Sequence, residues 1–304
     1  MDFDTARLDR SHETKLERLL KEDHFARVNE AQIKPVVMIQ NLSDYFYNLM
    51  AAKLESATGK SFLYFKTDSK LLYEYINRVS KHTGITPIAL KEKNLKNGEV
   101  SAVFYENGEK VKLYTEKGDP VCEDQFYMLL LLILKRKGEA NTLVLPPYVS
   151  QKVIAFAEEL SLRVKLARNS QAGFMKELIK EGLTEQFSLL YDGVYAALKV
   201  CEYCAFHQVT LAALIEAFPK VYKTTAQVAL EGDKRGEIMG KLSSHYSTQE
   251  MEYDGLKIEE EKGWAFILPD NAKFSFTIIT EGLDEEYSKE LCEFYGEEIK
   301  KMKI

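Results

Sequence analysis

Apolar positions along the chain fall into a few repeating patterns, and each predicts an element. From Ser11 onward, Leu16, Leu19 and Leu20 lie at helical spacing, and Tyr45, Phe46, Leu49 and Met50 do the same over about 42–54. These two helices read as an arm, residues 1–55, without a complete core of its own. Residues 61–67 form a short apolar run, read as a buried strand, followed by a helix over about 69–83 and a strand over 85–90. Residues 100–105 and 110–115 read as a hairpin around Glu106-Asn107-Gly108-Glu109, because Asn-Gly supplies the positive φ angles of a tight turn. A second strand–helix alternation covers 121–222. It predicts a helix over 123–137, a strand over 141–145, a helix to about 160 and a strand over 162–166. Further helices follow over about 173–182, 191–206 and 210–218. From about Tyr222 the pattern changes to a helix over 233–244 and short strands over 251–253, 256–259, 264–268 and 274–281. A terminal helix over 283–303 opens with Asp284 and Glu285, which suit a helix N-terminus. The fold class is therefore α/β: two small mixed α/β domains, 56–120 and 121–222, followed by an α+β domain with an antiparallel sheet, 223–304.

Composition narrows the function classes. The chain has 304 residues, enough for two or three domains or several small ones, and its 45% hydrophobic and 29% charged residues are ordinary for a globular protein. The net charge of −6, with both signs mixed along the chain, gives no electrostatic reason to expect nucleic acid or an anionic membrane surface as partner. The longest apolar run, 126–134, is far short of the ~20 residues of a membrane span. Met1-Asp2-Phe3-Asp4 has no apolar core of a signal peptide. Four cysteines in a chain of this length fit a reducing compartment, and the expected location is cytoplasmic. Cys201 and Cys204 fall inside a predicted helix rather than at its N-terminus, and only His207 lies nearby, so they read as packed thiols rather than as a redox or zinc motif.

Several segments together resemble the α-D-phosphohexomutase superfamily, which includes phosphomannomutases and phosphoglucomutases. Residues 189–203, Leu-Leu-Tyr-Asp-Gly-Val-Tyr-Ala-Ala-Leu-Lys-Val-Cys-Glu-Tyr, resemble the helix after the family's sugar-binding loop, D-G-x-x-A-x-L-x-x-x-E. Asp124 with Leu129-Leu130 resembles the opening of the third domain, and residues 142–150, Thr-Leu-Val-Leu-Pro-Pro-Tyr-Val-Ser, resemble its V-V-V-P-V-x-x-S strand and turn. Asp254-Gly255-Leu256-Lys257-Ile258, followed by Gly263-Trp264 and Pro269, resembles the D-G-x-K-I … G-W-x-x-x-R-P hairpin of the fourth domain. The resemblance implies mutase-type second, third and fourth domains behind the tail of a first. The arm, with Leu8-Asp9-Arg10 and residues 22–28, is most similar to a subgroup in which such a module is fused behind a nucleotidyltransferase of the mannose-1-phosphate guanylyltransferase type. That implies an N-terminal nucleotidyltransferase domain as partner and a sugar phosphate as ligand. Active relatives use Mg²⁺; no cofactor is expected for this chain.

The family's chemistry is not carried over residue by residue. Its nucleophilic serine lies in a Ser-His-Asn-Pro loop that does not occur here, so no catalytic residue is assigned. The metal loop, Asp-Gly-Asp-x-Asp-Arg in the family, corresponds to Glu106, Asn107, Gly108, Glu109 and Lys110, and no aspartate remains. The sugar loop, Gly-Glu-x-Ser-Gly, corresponds to the segment of Glu185 and Ser188, one residue wider and without its glycines. The phosphate loop, Arg-Pro-x-x-Thr-Glu-Pro, corresponds to Leu268, Pro269, Asp270, Asn271, Ala272 and Lys273, where leucine replaces the bidentate arginine. Three readings follow. The first is a non-catalytic mutase-like module with a structural, assembly or ligand-sensing role. The second is an active phosphomannomutase or phosphoglucomutase truncated at its serine-bearing first domain. The third is a binding module that holds a sugar phosphate or nucleotide sugar through Lys273, Lys110 or Arg168.

Overall fold

Strand β1 (Ser61–Lys66) is the hub of a four-stranded sheet ordered β2-β1-β3-β4. It pairs in parallel with β2 (Ile85–Ala89) and with β3 (Ser101–Tyr105), and β3 returns antiparallel into β4 (Lys110–Tyr114). The computed structural model describes residues 7–8, 10–24, 27, 29, 34–35, 38, 40–56, 61–81, 83–90, 98–138, 141–230, 234–246, 254–270 and 273–302. Two compact units emerge: Met1–Ala140 with Glu181–Phe218, and Asn141–Lys180 with Pro219–Ile304.

In the first unit, α3 (Lys70–Ser80) is the crossover between β1 and β2. Its N-terminus is capped by Ser69, whose Oγ accepts from the Leu72 amide at 3.3 Å. Helix α2 (Leu42–Ala52) packs on α3, whereas α1 (Arg10–Lys21) is exposed along almost its whole length. Helix α4 (Glu123–Lys137) ends at Gly138, in the left-handed conformation favoured for a C-terminal cap. The centre of the unit is α8 (Gly193–His207), which touches the sheet, α4 and α7 (Thr184–Tyr191). Every residue from Gly193 to Glu202 is buried, so this helix is apolar nearly all round rather than striped. Removing side chains such as Val194, Leu198 and Val200 from water contributes roughly 1.5–3 kcal/mol each. Helix α9 (Leu211–Ala217) follows, its first amides held by the Glu116 carboxylate at 2.7 and 2.9 Å.

The second unit contains a parallel pair, β5 (Thr142–Leu145) and β6 (Arg163–Leu166), with α5 (Gln151–Glu159) and α6 (Gln171–Lys180). Its larger sheet is fully antiparallel, in the order β7-β10-β9-β8: β7 (Tyr222–Ala229), β8 (Leu256–Glu260), β9 (Gly263–Asp270) and β10 (Ser275–Gly282). Helices α10 (Arg235–His245) and α11 (Glu285–Lys301) cover one face through Ile238, Leu242, Leu291, Tyr295 and Ile299. On β9, Trp264, Phe266 and Leu268 form a second cluster with Tyr148 and Ile279. Gly263 lies opposite Gly282 in the ladder, and a Cβ there would stand 2.0 Å from the Glu281 carbonyl oxygen. The glycine of the hairpin motif's Gly-Trp is thus required by backbone packing.

The α/β class and the antiparallel C-terminal sheet are as expected, with most boundaries within two or three residues. Two elements differ from expectation. Residues 184–190, aligned with the sugar loop and not expected as a helix, form with Tyr191 the helix α7, and α8 starts at Gly193 rather than near residue 191 because Asp192 caps it. Strand β7 is an additional strand where the sequence predicted none. The strand expected at 251–253 lies outside the described residues. Among the described residues, no helix is long and apolar enough to cross a membrane.

Candidate functional site

The first unit brings two of the three expected loops together. The 106–109 turn closes the β3–β4 hairpin in the left-handed region, with Glu106, Asn107 and Gly108 all at positive φ (49°, 57° and 95°). The Asn-Gly pair supplies two of these positions as expected; Glu106 is an additional one. This turn sits directly on the start of α8. A Cβ on Gly193 would lie 2.9 Å from both the Gly108 carbonyl oxygen and the Lys110 carbonyl carbon. Asp192, just before it, accepts from the Tyr195 amide at 2.9 Å and from the Tyr75 hydroxyl. Burial raises the Asp192 carboxyl above its ordinary range and, with the neighbouring carboxylate, drives the Tyr75 hydroxyl upward as well. The Asp-Gly of the family-like motif therefore has a local structural cause: the aspartate caps the helix and the glycine admits the hairpin.

The turn's own carboxylates are committed elsewhere. Glu106 pairs with Lys110 at 2.7 Å and Glu109 with Arg7 at 2.5 Å, all of them exposed. Mg²⁺ asks for about six oxygens in octahedral array, several of them anionic. Two exposed, ion-paired glutamates on one turn do not make that set, and among the described residues no three His, Cys, Asp or Glu side chains converge as metal ligands. The residues present do not fit the metal of active mutases.

Glu185 and Ser188 lie on α7 rather than in a loop, which corrects the sugar-loop expectation. Glu185 is only 6% exposed, accepts from the Tyr195 hydroxyl at 2.5 Å and pairs with Lys137 at 2.9 Å. Ser188 donates to the Thr184 carbonyl at 3.0 Å and accepts from Lys53 at 3.1 Å. A Glu and a Ser three apart on a helix share a face, so a two-turn helix turns a would-be sugar contact into an internal strut. A second buried carboxylate, Glu202, was not anticipated as a site residue. It accepts both oxygens' worth of contact from Lys199 (2.9 and 3.0 Å), the Glu55 amide at 2.8 Å and Arg136 at 3.4 Å. Burial pulls the Lys199 ammonium below its ordinary range, while Glu202 works against that shift. The signal available in the sequence was Lys and Glu at i, i+3 inside an otherwise apolar helix.

The turn, α7 and the start of α8, together with α2 and α3, enclose a cavity of about 1010 Å³. Its walls include Phe46, Tyr47, Met50, Leu72, Tyr75 and Tyr191, and its charged lining groups are Glu109 and Asp192. Among the described residues no lysine or arginine lines it.

The third expected loop belongs to the second unit. Leu268, Pro269 and Asp270 are residues of β9, not of a loop, and the Leu268 side chain is buried beside Trp264 and Phe266. Asp270 Oδ1 accepts from the Lys273 amide at 3.2 Å and closes the turn; Lys273 is exposed, and Asn271 lies outside the described residues. The structure adds a cation here that the loop motif did not mark. Arg235, at the start of α10, donates to the Asp270 carbonyl at 2.5 Å and lies over the Phe274 ring at 5.5 Å. Of the other groups named from sequence, Lys110 is ion-paired and Arg168 is exposed between β6 and α6. Cys201 and Cys204 are buried in α8; burial holds both thiols protonated, Cys204 pushed up to about 12.

Comparison with known proteins addresses the fold. No protein-family profile matches the chain. Among curated proteins, the phosphoglucosamine mutase of Methanococcus maripaludis is 21% identical over 173 residues, covering 52% of this chain and 39% of that relative. The chain thus aligns with well under half of that mutase. Among solved structures, a phosphoglucomutase/phosphomannomutase family protein of Burkholderia thailandensis superposes with a TM-score of 0.80 at 13% identity, over 98% of this chain and 71% of that one. The N-acetylphosphoglucosamine mutase of Aspergillus fumigatus, solved with GlcNAc-6P and magnesium, gives a TM-score of 0.63 at 10% identity, over 85% of this chain and 66% of that one. Nearly the whole chain therefore has the fold of the phosphohexomutases, which is what its motifs resembled.

Proposed function

We propose that the chain is a non-catalytic member of the α-D-phosphohexomutase superfamily, with a structural or assembly role in a larger protein of sugar-phosphate metabolism. The observation that carries this is the state of the 106–109 turn and α7. Every carboxylate there is either neutralised by a neighbouring cation or buried as a strut, and among the described residues the adjoining cavity has no lining cation for a phosphate. Several glycines and aspartates that match the family motifs, Gly193, Gly255, Gly263 and Asp192, have a packing or capping role. Selection for the scaffold without selection for the reaction leaves this pattern. The arm motifs of residues 8–28 support an N-terminal nucleotidyltransferase as the covalent partner, in a reducing cytoplasmic setting. The test is turnover. The chain, supplied with Mg²⁺ and either glucose 1-phosphate or mannose 1-phosphate, is expected to form no 6-phosphate above a protein-free control, read by phosphorus NMR. Sustained conversion returns the chain to the active mutases. The coding sequence ahead of Met1 tests the fusion.

A further inference from the structure

We propose that the cavity of the first unit is a binding site for a planar aromatic molecule that carries no anionic group. The inference goes beyond the non-catalytic reading and assigns a ligand class to a site that reading leaves without one.

Three observations point to this occupant. The first is the wall. On the α2–α3 side Tyr47 stacks on Tyr75 at 5.3 Å and 17°, and Phe46 lies 5.4 Å from the same ring. On the α7 side Phe187 and Tyr191 pair at 4.9 Å. Ring faces and edges accept another ring, neutral or cationic, in offset or edge-on contact. The second is charge. Among the described residues the lining carries two carboxylates, Glu109 and Asp192, and no lysine or arginine. The nearby cations Arg7 and Lys53 are already engaged by Glu109 and Ser188, so an anionic ligand meets no uncommitted positive charge from them. The third is hydrogen-bonding capacity. Ser69 Oγ caps α3, Ser188 Oγ is engaged by Thr184 and Lys53, and Asp192 is engaged by Tyr75 and Tyr195. A sugar, with a hydroxyl on nearly every carbon, would find fewer partners there than it has in water. Ser43 and Asn107 remain to meet one or two polar substituents. The volume, about 1010 Å³, is at the upper end of small-molecule sites.

The test uses the full chain and two naphthalene dyes of similar size: the neutral 6-propionyl-2-(dimethylamino)naphthalene and the anionic 1-anilinonaphthalene-8-sulfonate. The neutral dye is expected to bind saturably, one per chain, with blue-shifted emission, and the anionic dye about tenfold more weakly. Millimolar glucose 1-phosphate leaves the neutral dye bound. Phe46→Ala removes a wall ring that is 41% exposed, so the fold is kept; it weakens the neutral dye about fivefold. Ser43→Arg adds a cation to the lining and shifts the preference toward the anionic dye. Circular dichroism confirms that both variants are folded. Unsaturable binding overturns the inference, as does equal or tighter binding of the anionic dye. So does displacement by glucose 1-phosphate, or neutral-dye affinity that neither variant changes. Turnover of glucose 1-phosphate with the dye selectivity intact would remove the non-catalytic reading and leave this one standing.

Discussion

The first unit holds two sets of glutamates within a short span of structure, and they behave in opposite ways. Glu106 and Glu109 sit on an exposed turn, each with a single cation beside it in water. Glu185 and Glu202 sit on buried helix faces, each with two or more donors. Exposed pairs gain little, because water screens them and long side chains lose freedom on pairing. Buried charges are far more consequential, because whichever partner remains after a substitution has no solvent to turn to. The contrast teaches where this chain has invested: its acidic residues stabilise the interior around α8, while the turn that faces the cavity has been left electrostatically inert.

The sharpest way to break that contrast is Glu202→Ala. It leaves the Lys199 ammonium, 1% exposed, without its main partner, and the expected loss is about 3–5 kcal/mol in urea unfolding. The double variant Lys199→Met with Glu202→Leu should recover most of this, since an apolar pair of similar volume needs no compensation. The pH dependence has a definite sign. Burial lowers the Lys199 value in the folded state, so the unfolded chain binds more protons between that value and the ordinary lysine range. Stability from this group therefore rises with pH across that window. Without Glu202 the folded value falls further, so the window should widen toward lower pH. A loss below about 1 kcal/mol would mean that the interior is not organised around this pair.

A smaller effect is expected at the contact between the two regions. In Gly193→Ala the new methyl meets backbone atoms of the hairpin, the Gly108 carbonyl oxygen and the Lys110 carbonyl carbon, each at 2.9 Å. Backbone cannot rotate away as a side chain can, so the turn or the helix must shift, at about 1–3 kcal/mol. Emission of the bound neutral dye, whose site adjoins this contact, should change along with the melting temperature. A variant as stable as the parent would show that turn and helix move independently.

How much of this was legible in the sequence follows from range. Patterns of local period gave α4, the β3–β4 hairpin and the antiparallel C-terminal sheet, because each depends on residues close in the chain. Strand β7 escaped because Lys223-Thr224-Thr225-Ala226-Gln227 is mostly polar; its inward face, Ala226 and Val228, is visible only once the neighbouring strand is known. Helix α7 escaped because eight residues hold barely two turns of periodicity, and comparison with a loop motif pulled the reading the wrong way. The ordered motifs did carry the fold. They could not carry the site, because the fates of Glu109 and Glu185 are set by Arg7 and Lys137, 102 and 48 positions away, and only the Lys199–Glu202 pair is local.

Asp192 stands between the two sets: half-buried, where Glu202 is buried, and lining the cavity like Glu109. Asp192→Ala removes the cap of α8 and should cost about 1 kcal/mol, within the ~0.5–2 kcal/mol range of such losses. Asp192→Asn keeps a capping oxygen and should cost less. Its diagnostic is pH. Burial raises the aspartate in the folded state, so its proton is held more tightly there than in the unfolded chain. The resulting stability is fully present below the ordinary aspartate range and is lost as pH rises through the folded value. The parent should therefore gain on the asparagine variant as pH is lowered from 7 toward 4. Parallel stability curves for the two proteins would show that Asp192 does not titrate on folding.

The smallest expected effects are at the turn itself. In Glu109→Gln the ion pair with Arg7 is lost, but both side chains are already in water and regain it as partner. The expected change is within about 0.5 kcal/mol, and less at high salt, where the parent's pair is screened as well. Glu106→Gln should behave alike, because Lys110 is likewise exposed. The useful comparison is with metal. If the turn held a divalent cation, Mg²⁺ would raise the melting temperature of the parent, and Glu109→Gln would abolish the rise. A turn whose carboxylates serve only surface pairs gives the same curve with and without millimolar Mg²⁺, in parent and variant alike. That is the outcome expected here, and a magnesium-dependent shift confined to the parent would place Glu109 back among functional carboxylates and erase the contrast with the interior.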